Sequence, residues 1–168
     1  MPPAASVDRT AYEIALQAWV QSQMPTGQPC IYEDTDGPDP DAFATIKVTT
    51  LSPVGRNTLR VLDEPFEGKF KGELQRHYRG TCSLQVHGKG ARALIEAIKV
   101  SMFLPDVQLV NCEARLYLED SGDTVDLTGI VGVRSRPSFQ ADIFFHWSEV
   151  TPYAADVIET ANPTGTVT

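Results

Sequence analysis

A strict apolar alternation near the C-terminus constrains the fold of this chain more than any other feature. Within residues 136–149 the apolar side chains occupy every second position: Phe139, Ala141, Ile143, Phe145 and Trp147. The positions between them hold Gln140, Asp142, Phe144, His146 and Ser148. A period of two residues is typical of a β-strand with one face in a core and the other towards solvent. The segment is therefore predicted to be a half-buried strand of a sheet that another layer covers.

Two segments have the three- and four-residue apolar spacing of amphipathic helices. The first is predicted to begin at Asp8 as N-cap and to end near Pro25 and Gly27. Its apolar stripe contains Tyr12, Ala15, Leu16, Trp19 and Val20.

The second helix is predicted over residues 89–104 and ends before Pro105. Its buried stripe is predicted to contain Ala91, Leu94, Ile95, Ala97, Ile98 and Met102. Arg92, Glu96 and Lys99 fall on the solvent side, and Arg92 and Glu96 are spaced for a helical ion pair.

The remaining periodic segments are predicted to be strands. They cover residues 29–33 and 42–52, two or three strands within 56–88, and residues 107–118 before a turn at "EDSGD". Two helices with these strands predict an α+β fold, a mostly antiparallel sheet with both helices packed on one face. Residues 8–150 are predicted to form a single domain between a flexible N-terminus, 1–7, and a C-terminal tail, 151–168, in which "ANPTGTVT" is disordered.

The charge balance limits the possible partners. The chain has 14 Lys and Arg against 22 Asp and Glu, a formal net charge of −8. Tight binding to nucleic acid needs clustered basic residues that displace counterions from phosphates, so it is not expected here. An acidic surface suits a protein along which DNA slides without adhering.

Membrane insertion, secretion and disulfide formation are not expected either. No run of about 18 apolar residues is present, and the N-terminus lacks the basic start and apolar stretch of a signal peptide. Cys30, Cys82 and Cys112 form no CxxC pair and lie in apolar or strand-like stretches. They are predicted to be buried, reduced thiols in a protein made in the cytosol.

The segment "HGKGA", residues 87–91, invites comparison with a phosphate-binding loop. A P-loop has the longer pattern G-x-x-x-x-G-K-[ST], whose hydroxyl holds magnesium, and here alanine follows the second glycine. The dinucleotide pattern G-x-G-x-x-G fails because position 93 is alanine. Gly88 and Gly90 are therefore predicted to turn the chain sharply, while Ala91 and Ala93 let the helix start close to the sheet.

No catalytic or metal-binding set emerges from the spacing of the other polar residues. Asp34, Asp36, Asp39 and Asp41 alternate, but Gly37 comes after only two of them and prolines follow, unlike an EF-hand loop. His77, His87 and His146 have no HxxxH or HxxE spacing, and no G-x-S-x-G elbow is present. The residues thus predict an acidic, non-enzymatic assembly module with no cofactor and no metal.

The order of several segments is more informative than any single motif. It runs from "ALQAWVQ" through "CIYEDTDGPDPDAFATIKV" and "RGTCSLQVHGKGARALIEAI" to "VDLTG" and "RPSFQADIFF". In this order the chain resembles the neck terminator, or tail terminator, family of tailed bacteriophages over residues 11–150. That family has a proline-rich loop between two strands, an arginine-initiated strand ending in a glycine–alanine turn, and a closing Arg–aromatic–Asp strand. The family's loop commonly carries Arg-Pro where this chain has Asp39-Pro40, so the contact of that loop arginine is not carried over. The late match also departs from the family pattern, because Pro137 follows Arg136 in place of a small residue.

The resemblance implies a tail-terminator-like fold and a subunit of a ring, usually a hexamer, at the tail–neck junction of the virion. Such a ring stops polymerisation of the tail tube and joins the tail to the head or neck, and DNA passes through its lumen without specific binding. The implied partners are further copies of the chain, the tail tube protein, the sheath and a neck or head-completion protein. Two alternatives stay open: a head–tail connector or tail-completion adaptor of similar fold, and a small nucleotide-binding or hydrolase domain.

Within this interpretation, residues 56–76 form an extended hairpin that either reaches a neighbouring subunit or the tail tube, or is an ordinary exposed hairpin. The candidate contact residues for a subunit or tail-tube interface are Arg56, Arg60, Lys69, Lys71, Arg76 and Lys89.

Overall fold

The structure is a computed structural model that describes residues 10–32, 42–61, 69–128 and 137–156. The predicted cap Asp8, the acidic loop 34–41 and the segment "ANPTGTVT" lie outside these residues. The helices are α1 (Ala11–Gln23), α2 (Ala91–Ser101) and α3 (Pro105–Glu113). The strands are β1 (Cys30–Tyr32), β2 (Phe43–Val61), β3 (Lys69–His87), β4 (Leu116–Ser121), β5 (Val125–Asp126) and β6 (Ser138–Asp156).

The six strands form one sheet in the order β1-β2-β3-β6-β4, with β5 also paired to β6. All pairs are antiparallel except β1 with β2. The α+β class and the mostly antiparallel sheet are therefore confirmed. β6 confirms the strand predicted at 136–149 and continues to Asp156, so the predicted domain end at residue 150 falls inside a strand.

The core lies on one face of the sheet, where the strands present the alternating apolar residues. Phe145, Ile143 and Leu84 contribute from β6 and β3, and each is at most 1% exposed. Leu16 and Trp19 of α1 and Ile95 and Ile98 of α2 close the core from the other side. The packing of α1 and α2 on this face is as predicted.

Helix α1 begins at Ala11, and its N-cap is Thr10 rather than the predicted Asp8. The carboxylate of Glu13 accepts hydrogen bonds from both the backbone N–H and the hydroxyl of Thr10, each at 2.9 Å. A Thr followed three residues later by Glu is the sequence signature of this kind of helix start. The same glutamate accepts a hydrogen bond from the Tyr32 hydroxyl at 2.7 Å, which joins α1 to β1.

The region after Ser101 differs most from the sequence-based prediction. Residues 105–113 are a third helix, α3, where a strand was predicted from residue 107. Pro105 suits the first helical position, because its fixed φ is helical and its missing N–H has no partner to lose. The amide of Gln108 donates to the Leu118 carbonyl oxygen at 3.2 Å, so α3 packs against β4.

Several smaller predictions were also wrong. Ala93, Ala97 and Cys112 are exposed. Ala93 and Ala97 are four residues apart and lie on the same solvent face of α2 as Arg92 and Glu96. Glu96 pairs with Lys99 in place of the predicted Arg92 partner, and the distance from Lys99 Nζ to Glu96 Oε2 is 3.6 Å. The "EDSGD" turn is shorter than predicted, because β4 extends to Ser121. Among the described helices, none combines the length and apolarity needed to cross a membrane.

Candidate assembly interface

Three strands of 19 residues each extend past the helices and form a projecting arm. We define the arm as residues 54–61 of β2, 69–77 of β3 and 148–156 of β6. The register is continuous along β3 and β6, from His87↔Ser138 to Lys69↔Asp156. Nine residues of extended chain give the arm a length of about 30 Å. The apolar alternation of β2 ends at Leu51, and residues 52–60 are all exposed.

Both outer edges of the arm are open. β1 pairs with β2 only at residues 44–46, and β4 pairs with β6 only at residues 143–147. Along the arm no strand of the described residues borders the outer side of β2 or β6. At the base of the arm the Ser148 amide donates to the Arg115 carbonyl oxygen at 3.1 Å. An open edge presents backbone N–H and C=O groups to another chain, and proteins protect such edges with prolines, charges and bulges.

The edge strand β2 contains such a bulge. Val54 lies opposite His77 and Thr58 opposite Gln75. β2 therefore advances four residues over the stretch in which β3 advances two. Gly55 has a φ of 73°, a left-handed conformation that glycine adopts without strain. Arg56 therefore lies in a bulge where the register gives it no cross-strand partner. Bulges commonly re-aim a side chain at an edge or a functional site, and an isolated glycine in "PVGRN" was the sequence signal for it.

The arm brings together five of the six candidate contact residues. Arg56 and Arg60 lie on β2, and Lys69, Lys71 and Arg76 lie on β3. Lys89 is in the turn after β3, more than about 30 Å along the strand from Arg76. Arg56, Arg60, Arg76 and Lys89 are exposed.

The charge of the arm is unevenly distributed. In the register Arg60 is opposite Glu73, and Arg76 is opposite Glu149. β2 itself has Lys47, Arg56 and Arg60 and no acidic residue. In a chain with a net charge of −8, this edge strand is locally basic.

A polar cluster that the sequence did not reveal lies on the open face near the base of the arm. Arg79 donates to Glu119 from both Nε and Nη2, each at 3.2 Å, and His146 Nε2 is 3.1 Å from the same carboxylate. The cluster joins three strands, β3, β4 and β6. The Glu119 carboxylate contacts both Arg79 and His146. These contacts cross the strands and so hold the register of the sheet.

The other two histidines each pair with a serine hydroxyl. His87 Nδ1 is 2.9 Å from the Ser138 hydroxyl, and the Phe43 ring stacks on the imidazole with centroids 4.5 Å apart. Ser138 is only 1% exposed, so this pair is buried between strand ends. His77 Nδ1 is 2.9 Å from the Ser148 hydroxyl at the base of the arm. Across the described ranges no three His, Cys, Asp or Glu side chains converge as a metal site.

The "HGKGA" segment forms the sharp turn that the sequence predicted. Gly88 and Gly90 have φ angles of 103° and 82°. The Gly88 amide donates to the Pro137 carbonyl oxygen at 2.9 Å, and the Ala91 amide donates to the Gly88 carbonyl oxygen at 3.2 Å. These amides bind the chain itself, and Ala91 is buried against the sheet. The glycines thus seat α2 on the sheet.

The arm, the covering helices and the antiparallel sheet define an α+β protein with a long strand extension. The family model described as "Phage neck terminator protein" matches residues 11–168, and the chain belongs to this family. The resemblance seen in the sequence is confirmed, and the family match extends past residue 150.

Two further comparisons add little information about function. No curated protein matches the chain. A solved structure, the PVC sheath/tube terminator of an extracellular contractile injection system in its extended state, is similar with 12% sequence identity and a TM-score of 0.40. The similarity covers 95% of this chain and 62% of that one, so the chain spans less than two thirds of its length.

Proposed function

We propose that the protein is a non-enzymatic, ring-forming terminator that caps the tail tube, stops its polymerisation and joins the tail to the head or neck. The observation that carries this proposal is the family match across residues 11–168, which includes every described element. The ring is a homohexamer at the tail–neck junction, and its partners are the tail tube protein, the sheath and a neck protein.

The geometry of the arm is consistent with a subunit of a ring. A subunit of a closed ring needs two different surfaces, because each copy contacts the next in a head-to-tail manner. An arm with two open strand edges and exposed side chains is one such surface. We assign Arg56, Arg60, Lys69, Lys71 and Arg76 to a contact with the neighbouring subunit or the tube, and Lys89 to a second contact at the opposite end of β3.

The charge distribution supports a lumen through which DNA passes. With 22 acidic and 14 basic residues, a wall lined by carboxylates repels phosphate and keeps DNA from adhering. The basic edge of the arm would attract DNA if it lined the channel. We therefore place the arm towards protein partners and away from the DNA.

Two measurements test the proposal. Light scattering coupled to gel filtration, with negative-stain images, is expected to show a six-membered ring for the chain alone or with tube protein. Addition of the chain to polymerising tube protein is expected to shorten the tubes and to place a ring at one end. Exchanging Arg56 and Arg60 for alanine is expected to weaken both effects, whereas Arg92→Ala, an exposed change on α2, leaves them intact.

The contrary outcomes are distinct. Tubes of unchanged length, with no ring at their ends, would contradict the terminator function. Capture of portal-side neck proteins without any capture of tube protein would instead favour a head–tail connector.

A further inference from the structure

The helix that the sequence failed to predict creates an open groove beside α1. The groove between α1 and α3 has a volume of about 650 Å³. This is within the range of about 300–1,000 Å³ in which proteins bury ligands and anchoring side chains. Its lining is mainly small and apolar and includes Ile14, Ala15, Ala18, Trp19, Val107 and Ala114. Ile14 is 55% exposed, a large apolar side chain that nothing described covers.

The polar groups of the groove indicate what could occupy it. Asp106 and Glu113 lie on its lining, which has no basic residue. Asn111 also lines it and is 2% exposed, and its side-chain Nδ2 has no hydrogen-bond partner among the described residues. A buried donor without an acceptor is costly. The groove therefore fits an apolar segment that brings a positive charge and accepting groups.

An incoming cation would stabilise the two acidic residues to different extents. Asp106 is in the first turn of α3, where the positive end of the helix dipole already stabilises a carboxylate. Glu113 is the last residue of α3, where the negative end of the dipole destabilises it. Glu113 thus gains more from an incoming cation.

The same chain carries a complementary segment on its arm. Val54 and Leu59 flank the β2 bulge and are 44% and 54% exposed. Arg56 lies between them, and no acidic residue is present on β2. This segment combines two exposed apolar side chains with a positive charge on a strand that has an open edge.

We propose that residues 54–59 of one protomer dock into the α1/α3 groove of the next protomer. Leu59 covers the apolar lining, and Arg56 pairs with Glu113 of the partner copy. Val54 lies opposite His77 and Leu59 opposite Leu74, so Val54 is on the other face of the arm and stays outside the groove. The two surfaces are different parts of one chain, so the contact repeats head-to-tail and can close into a ring. The inference rests on the proposed function, because it presupposes that ring.

Engineered cysteines test the contact directly. In a Cys112→Ser background, Ala18→Cys in the groove and Leu59→Cys on the arm are expected to give a disulfide-linked ladder of protomers on mild oxidation. The matched control combines Ala18→Cys with Val100→Cys, since Val100 is an exposed apolar residue of α2 outside the groove lining. All three engineered positions are exposed, so folding is not expected to suffer.

A charge exchange tests the ion pair. Arg56→Glu and Glu113→Arg are each expected to weaken ring assembly by about tenfold or more, since each leaves like charges in contact. The double variant is expected to recover most of the loss. Glu113→Arg places a positive charge at the C-terminal end of α3, where the helix dipole favours it.

The outcomes separate this inference from the function on which it rests. A ring that caps tubes but gives no ladder, or that tolerates Arg56→Glu, would overturn the docking contact and leave the terminator function standing. A chain that forms no ring and leaves tube growth unchanged would contradict both.

Discussion

The aromatic ring of Phe145 lies directly over the backbone of Gly80, its cross-strand partner in the centre of the sheet. A β-carbon at Gly80 would be 2.8 and 2.9 Å from the two Cε atoms of that ring. Phe145 is fully buried and contacts Tyr12 of α1, with ring centroids 5.9 Å apart. The glycine thus makes the space in which the largest fully buried side chain of β6 meets the helical layer.

We therefore expect Gly80→Ala to lower the free energy of unfolding by about 1–3 kcal/mol, the usual cost of forcing extra volume into a packed core. Urea denaturation followed by circular dichroism measures it. Gly122→Ala is the matched control, because a β-carbon there would have no neighbour closer than 3.7 Å. Equal unfolding midpoints for the two variants would show that the Phe145 ring can move aside.

The buried hydrogen bond between Trp19 and Ser101 provides a second test. Trp19 Nε1 donates to the Ser101 hydroxyl at 3.1 Å, which in turn donates to the Ile98 carbonyl oxygen at 2.7 Å. Ser101→Ala removes the acceptor and leaves the indole N–H buried, so we expect a loss of about 1–3 kcal/mol in unfolding free energy. The exposed change Ser52→Ala should stay within about 0.5 kcal/mol. Comparable losses in both variants would argue against a special role for this bond.

The three cysteines should differ sharply in reactivity. Cys112 is exposed, whereas Cys30 and Cys82 are 5% and 2% exposed. Burial raises the pKa of the Cys82 thiol to about 12, so it stays protonated at neutral pH. A colorimetric thiol reagent should therefore react with one thiol quickly in the native protein and with three in denaturant. Fast reaction of Cys112→Ser would contradict this assignment.

The Cys82 thiol makes the free energy of unfolding depend on pH in the alkaline range. In the unfolded chain Cys82 ionises near its ordinary pKa of 9.0, and in the folded protein near 12. Its contribution to stability is present below pH 9.0 and is lost as the pH rises towards 12. Between these values the unfolding free energy of Cys82→Ala should fall less steeply than that of the wild type, as measured by urea titrations at several pH values. Parallel slopes would mean that the thiol is not protected.

At acid pH the corresponding group is Glu96. The Thr124 hydroxyl donates to this carboxylate and, with the nearby charge of Lys99, lowers its pKa below the ordinary 4.5. A lowered pKa adds stability above pH 4.5 that is lost as the pH falls through the folded value. Thr124→Val should shift the Glu96 titration, followed by NMR of its carboxyl carbon, back towards the ordinary pKa.

The same titration contains its own control. The Thr128 hydroxyl and amide lower the pKa of Asp126, and they do not involve Thr124. Asp126 should therefore titrate unchanged in Thr124→Val. A simultaneous shift of both carboxyls would indicate a general rearrangement of the segment around β5.

Much of the sheet and helix layer follows from local patterns in the chain. The alternation of Phe139 to Trp147 and the stripe from Tyr12 to Val20 each specify an element and the face that it buries. The glycines at 88 and 90 specify the turn into α2 because their positive φ suits few other residues. The family resemblance rested on the order of the same elements.

Only the tertiary structure decided α3, the arm and the groove. The run "VQLV" suits a strand or a helix equally, and Pro105 together with the contact of Gln108 to Leu118 selects the helix. The length of β6 beyond Trp147 depends on pairing with β3, more than 70 residues earlier in the chain for pairs such as His77 with Ser148. Local periodicity records which side of an element is buried. It does not record how far two distant strands stay paired or which helices leave a groove between them, because those depend on contacts between residues far apart in sequence.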